Sequence, residues 1–309
     1  MKSEFPVVGI IGAEENVRMM IASATALGIK LLPFTSDTSD SAAQVIPCVI
    51  GDYTDIEAIK KFAEQCDVVT FEHHLVPLSI IKALEVAGVK VRPGSQTLEY
   101  SREKLSRKES IDFDYIINVQ VARSPHAQAT TWAPTQVLKS DGKCMMTISP
   151  APLLSAAMSE QAQKIALDAA AEVKLVGVMS VEMLVKGDEM FIEELILHPH
   201  NSGYWTIEGS RTSQFEQHLR AILDLPLGDP TMTNEYAVVG NIFGKNKTDM
   251  YRPYLHLMAR NPSLKFHMYA KVVSPGENIG HINALGSDLI ELRTEIEHAV
   301  DYMSGEIDE

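Results

Sequence analysis

Residues 177–203 read GVMSVEMLVKGDEMFIEELILHPHNSG. Two apolar runs, GVMSVEMLV and MFIEELIL, flank Lys186-Gly187-Asp188, a spacing that predicts a β-hairpin. Side chains alternate along a strand, so Glu182 on the first run can face the same way as one of Glu193 and Glu194 on the second. Two carboxylates on neighbouring strands repel unless a cation lies between them, and hard oxygen ligands suit Mg2+ bridging nucleotide phosphates. From spacing alone the preferred reading is a pair of solvated surface glutamates, since Glu-rich hairpins are common.

Outward from this hairpin the texture of the chain changes twice. Residues 1–108 repeat short apolar runs (VVGII, IKLLPF, QVIPCVI, DVVTF, VKVRP) between amphipathic stretches, the rhythm of βαβ units feeding a parallel sheet. Helices are predicted over Glu14 to Leu27, Asp55 to Gln65 and Leu78 to Ala87, which gives a Rossmann-like α/β domain. Residues 109–228 are α+β: strands YIINVQVA, TTWAPTQVL and CMMTISPAP, with Asp141-Gly142 as a tight turn, then a helix over Ser159 to Lys174, the hairpin, and the amphipathic TSQFEQHLRAILDL. Residues 229–309 form a small β-rich portion with strands around YAVVGNIFG and FHMYAKVV, a closing helix from Asp288 to Met303 and a frayed acidic end, GEIDE.

Composition limits the partners. The chain has 309 residues, 45% of them hydrophobic, enough for two or three compact domains. A formal charge of −14 argues against a nucleic-acid or anionic-membrane partner and for small molecules or proteins. The N-terminus lacks the apolar region of a secretory signal, and no run is long enough to span a bilayer. Cys48, Cys66 and Cys144 are odd in number and form no CxxC, so a reducing cytoplasm is expected. His73 with His74, and His198 with His200, lack further clustered ligands and are read as packing or surface residues; the fourteen methionines are read as core filling.

The run from Glu194 through HPHNSGYWTIEG to Gly209, followed by TSQFEQHLR at Thr212 to Arg220, resembles the signature of the 5-(carboxyamino)imidazole ribonucleotide synthase family, PurK-type ATP-grasp ligases of purine biosynthesis. The likeness continues in VGIIG, GDYTD at Gly51 to Asp55, VTFEH at Val69 to His73, VRPG at Val91 to Gly94, IDFD at Ile111 to Asp114 and Gly280-His281. It implies a Rossmann-like domain, an ATP-grasp core and a small C-terminal domain, usually as a dimer. It also implies Mg2+ and ATP as cofactors, and carboxylation of 5-aminoimidazole ribonucleotide with bicarbonate. By that resemblance Glu182 and Glu194 hold the metal, and Glu194, His200 and Asn201 lie at the nucleotide. Glu72, Arg92, Asn201 and Lys271 contact the substrate.

The sequence also departs from the family pattern. The lid subdomain, with its lysine and glycine-rich loop, would fall between Glu103-Lys104 and IDFD, where LSRKES runs almost directly into that strand. In the N-terminal loop, Gly12 to Met19, two of the family's glycines are gone and two carboxylates, Glu14 and Glu15, have arrived, which opposes an anion at that helix N-terminus. Ser274, Glu277 and Asn278 replace the basic residues of the substrate-phosphate pattern. The expectation is therefore a shortened, degenerate member lacking the lid subdomain, its carboxylating activity impaired or lost. The alternative is a non-catalytic paralogue that pairs with an intact synthase, as against a homodimer.

Overall fold

A computed structural model describes residues 5–73, 75–105 and 111–307 of the chain. Strands β1 (Val7–Ile11), β2 (Lys30–Thr35), β3 (Val49–Ile50) and β4 (Val68–Phe71) form a parallel sheet in the order β3-β2-β1-β4. The connecting helices are α1 (Glu15–Ala26) and α2 (Ile56–Ala63), followed by α3 (Leu78–Val86) and α4 (Ser95–Leu105). Asp55 starts α2 by accepting from Glu57 N and Ala58 N. Of the predicted run QVIPCVI only two residues pair, and VKVRP contributes a single bridge, Val91 to Val69.

The rest of the chain builds one nine-stranded sheet. Its strands are β5 (Tyr115–Arg123), β6 (Ala129–Thr131), β7 (Thr135–Ser140), β8 (Lys143–Ser149), β9 (Gly177–Lys186), β10 (Glu189–Ile196), β11 (Tyr236–Phe243), β12 (Lys265–Met268) and β13 (Asn278–Gly286). The order is β10-β9-β5-β7-β8-β11-β13-β12, with β6 beside β5. The sheet runs without interruption across residue 228, because β11 pairs with β8. Asp141 and Gly142 both have positive φ, the conformation of a two-residue hairpin turn whose twist matches the strands. Strand β13 escaped the sequence reading because its glycines and its inward His281 and Asn283 break the apolar pattern.

The two faces of β5 and β9 differ in chemistry. Ile117, Val119, Val121, Met179, Val181, Met183 and Val185 are buried on one face, against Ala162, Ala166, Ala169 and Ala170 of α5 (Ala156–Glu172). The opposite face carries Asn118, Gln120, Ser180 and Glu182, all buried. The register sets Asn118 beside Glu182 and Gln120 beside Ser180. Over the polar face lie the 3-10 turn Asn201–Gly203, α6 (Thr206–Gly209) and α7 (Gln214–Ile222). Helices α8 (Pro253–Arg260) and α9 (Leu289–Ser304) close the far end, α9 against β11 and β13. No helix among the described residues is long and apolar enough to cross a membrane.

Candidate active site

Strand β10 places the predicted carboxylates. Ile192 pairs with Met183 and Glu194 pairs with Glu182, so Glu193 is an extra residue in the ladder. This bulge selects Glu194 as the partner of Glu182, a choice that alternation alone left open. Glu182 is buried and Glu194 is exposed. Lys139, at the end of β7, closes on the buried one, with Nζ 2.7 Å from Glu182 Oε1 and 2.9 Å from Oε2.

The segment after β10 is pinned by α7. Gln214 donates to His200 O at 2.7 Å and accepts from His200 N at 3.1 Å, a two-bond clamp on one residue's backbone. His200 Nδ1 lies 2.9 Å from Ser202 Oγ, and Gln120 Nε2 donates to the same hydroxyl at 3.0 Å. Burial, then neighbouring His198 and Lys139, pushes the His200 imidazole down to about 3, so the ring is neutral. Trp205 Nε1 donates to Thr135 Oγ1, and Thr135 Oγ1 meets Ser149 Oγ, anchoring the turn to the sheet.

Several polar atoms of this face have no partner among the described residues: Asn118 Nδ2, Gln120 Oε1, Thr147 Oγ1, Ser180 Oγ and Asn201 Oδ1. Buried polar atoms ordinarily find partners, so a row of open ones is the mark of a ligand-binding face. The donor set suits Mg2+: two opposed carboxylates and the open Asn201 oxygen are hard ligands, and Mg2+ takes its remaining oxygens from water and phosphates. Among the described residues no group of three or more His, Cys, Asp or Glu side chains could hold a metal.

The predicted substrate residues divide. Glu72 sits at the N-terminus of α1, accepting from Glu14 N at 2.7 Å, Asn16 N at 2.9 Å and Val17 N at 3.2 Å. Gly12 permits this approach, because it has φ of 116° and an added Cβ would lie 2.7 Å from Glu72 Oε2. Glu72 thus supplies the acceptors of that helix end, and its oxygens serve the backbone. Lys271 is held by Glu15 at 2.8 Å, Glu14 at 3.3 Å and Glu277 at 3.5 Å. Burial pulls its ammonium down, but the pairs with Glu15 and Glu14 outweigh burial and hold it above its ordinary value. It lines a cavity of about 590 Å³ with Glu14, Asp37, Asp40, Ser274 and Glu277.

Arg92 lies apart from this group. It lies toward the other end of the parallel sheet, donating to Ile222 O at 2.6 Å beside Pro6, Asp67 and Val68. The VRPG run follows β4 and bridges it at Val69, which turns the guanidinium toward the strand N-termini, away from Glu72. Lys139 and the open amides and hydroxyls went unread in the sequence. Their one signal was alternation, polar residues at 118, 120, 180 and 182 inside otherwise apolar strands.

The N-terminal portion matches the ribonucleotide synthetase preATP-grasp domain over residues 5–102. The ATP-grasp domain follows over 85–215, and the phosphoribosylaminoimidazole carboxylase C-terminal domain over 237–295. The N5-carboxyaminoimidazole ribonucleotide synthase of Mycobacterium tuberculosis is 32% identical over an alignment of 377 positions, gaps included, covering 97% of this chain and 88% of its own length. The crystal structure of the Thermus thermophilus synthetase superposes with a TM-score of 0.84 at 24% identity, covering 98% of this chain and 99% of that one. The Aspergillus clavatus synthase, solved with ADP and 5-aminoimidazole ribonucleotide, gives 0.87 at 24% identity, with 97% and 99% covered.

These matches correct the expectation of a shortened, degenerate member lacking the lid subdomain, with activity impaired or lost. Three domain profiles succeed one another along the chain, and the solved chains are covered almost end to end. Two of the departures meet locally: Glu14 and Glu15 both pair with Lys271, and Glu72 takes the helix end. Residues 106–110, on which the reading of a missing subdomain turned, and His74 lie outside the described residues. With 32% identity over 97% of its length, the chain belongs to the N5-carboxyaminoimidazole ribonucleotide synthase family.

Proposed function

We propose that the protein carries out ATP-dependent carboxylation of 5-aminoimidazole ribonucleotide, with the nucleotide and its Mg2+ held on the polar face of β5, β9 and β10. The observation that carries this reading is the opposition of Glu182 and Glu194 beside a row of unpartnered buried polar atoms. Mg2+, when bound, offsets the phosphate charge that develops during phosphoryl transfer. Glu182 and Glu194 supply its carboxylates and Asn201 Oδ1 a neutral oxygen. Asn118, Gln120 and Ser180 offer donors and acceptors to the polar parts of the nucleotide. Neutral His200 fixes the turn through Ser202 and leaves the metal's charge unopposed. Lys271, at the cavity between the two sheets' loops, is the cation for the acceptor substrate.

Support comes from the family relationship and from relatives solved with ADP, with ATP, and with ADP plus 5-aminoimidazole ribonucleotide. We read the assembly as a homodimer and the compartment as a reducing cytoplasm, from the resemblance and the cysteine usage. The deciding experiment supplies purified protein with Mg·ATP, bicarbonate and 5-aminoimidazole ribonucleotide. Phosphate release that requires the ribonucleotide and disappears in Glu182→Gln is expected; a trace indifferent to the ribonucleotide sinks the proposal.

A further inference from the structure

Among the described residues, Lys139 is the cation that engages both oxygens of the buried carboxylate. Its Nζ lies nearly equidistant from the two oxygens of Glu182, at 2.7 and 2.9 Å. A divalent cation on Glu182 would need the same oxygens. The pair is unequal in exposure, with the lysine side chain 30% exposed and the glutamate 6%. The ammonium can therefore retreat to solvent on its flexible stem, and the carboxylate cannot.

The surroundings distinguish a placeholder from a permanent lock. A permanent buried ion pair is tolerated when neighbouring polar groups complete its hydrogen bonds. Asn118, the cross-strand neighbour of Glu182, leaves Nδ2 unpartnered, and Asn201 leaves Oδ1 unpartnered. The ammonium thus meets the charge requirement of Glu182, and the open amide of Asn118 beside it waits for a larger guest.

We propose that Lys139 is the resident counter-ion of the metal seat: it neutralises Glu182 while no metal is bound, and a divalent cation enters by displacing it. The proposal rests on the reading of Glu182 and Glu194 as the metal carboxylates. Lys139 then acts as a positioning residue, holding both oxygens of Glu182 in place on the face and setting the metal affinity. The displaced ammonium stays at the rim of the face, beside the anionic group that accompanies the metal.

The test is Mn2+ binding to nucleotide-free protein, followed by loss of the free-ion paramagnetic resonance signal. Lys139→Met is expected to bind Mn2+ about ten-fold more tightly than the native protein, since the competing cation is gone. Lys139→Arg keeps the charge and grips a carboxylate through two parallel bonds, so it is expected to bind Mn2+ more weakly than the native protein. Lys139→Met is also expected to melt lower without divalent metal and to recover with Mn2+, a rescue that a purely structural lysine would not show. Equal or weaker Mn2+ binding by Lys139→Met, with binding still abolished by Glu182→Gln, overturns the role of Lys139 alone. Mn2+ binding untouched by Glu182→Gln, or absent from every variant, overturns the metal-seat reading and this proposal with it. If Lys139→Met does not fold even with Mn2+, the arginine variant decides, and unchanged or tighter binding there overturns the proposal.

Discussion

Glu194 stands opposite Glu182 because Glu193 is bulged out of the β10 ladder. The two adjacent glutamates therefore have different fates under mutation. Glu194→Gln is expected to lower kcat/KM by about 100-fold, a loss of roughly 2.7 kcal/mol of transition-state stabilisation. Because Glu194 is exposed, its melting temperature should barely move. Glu193→Gln should stay within about two-fold of native activity, because the bulge leaves Glu194 as the residue paired with Glu182. Steady-state kinetics with paired melting curves separate the two, and equal losses would contradict the register.

His218 ties the two sheets together. Its Nδ1 accepts from Val178 N at 3.1 Å, and its Nε2 lies 3.0 Å from Thr70 Oγ1, so the ring is neutral with the proton on Nε2. Burial, then His198, pushes this imidazole down to about 3. The folded value lies below the ordinary one of roughly 6.5, so the contribution is complete above about pH 6.5 and is lost as pH falls toward 3. His200 adds to the same window. Urea denaturation should show stability declining across that range. His218→Leu, which strands Val178 N, should cost about 1–3 kcal/mol at neutral pH and flatten the decline.

Glu72 runs the other way. Burial pushes its carboxyl up to about 8, against the three backbone donors at the start of α1. A raised folded value means that its contribution is complete below roughly pH 4.5 and is lost as pH rises toward 8. Glu72→Gln, which keeps an acceptor and cannot ionise, should gain on the native protein as pH rises through that window. Melting temperatures of the two proteins at matched pH values check the sign; a constant gap would show that Glu72 does not titrate there.

Gly203 controls the turn over the polar face. An added Cβ would lie 2.5 Å from Gln214 Oε1 and 3.0 Å from Gln120 Cγ, the side chains that hold His200 and Ser202. Gly203→Ala should cost about 1–3 kcal/mol by overpacking and should weaken ADP binding more than an equally destabilising core change elsewhere. Calorimetric titration with Mg·ADP, beside Ile242→Val as the control, tests this.

The sequence alone determined most of the element order. The βαβ rhythm before residue 108 was legible because apolar runs and helix stops are local signals, as with VVGII and the helix ending before Gly28. The hairpin at Lys186-Gly187-Asp188 and the turn at Asp141-Gly142 were legible for the same reason. The HPHNSG run identified the family. Other features were decided by contacts distant in sequence. The bulge at Glu193 depends on which residues of β9 face β10, and the grip of Lys139 on Glu182 spans 43 residues. Arg92 points away from Glu72 because of its bridge to β4, a direction that no motif records. Strand β13 continues the large sheet because β11 pairs on both sides, and its His281 and Asn283 are buried there although they interrupt its apolar pattern. Periodicity fixes what a residue can join; the sheet register, set by the whole fold, fixes what it meets.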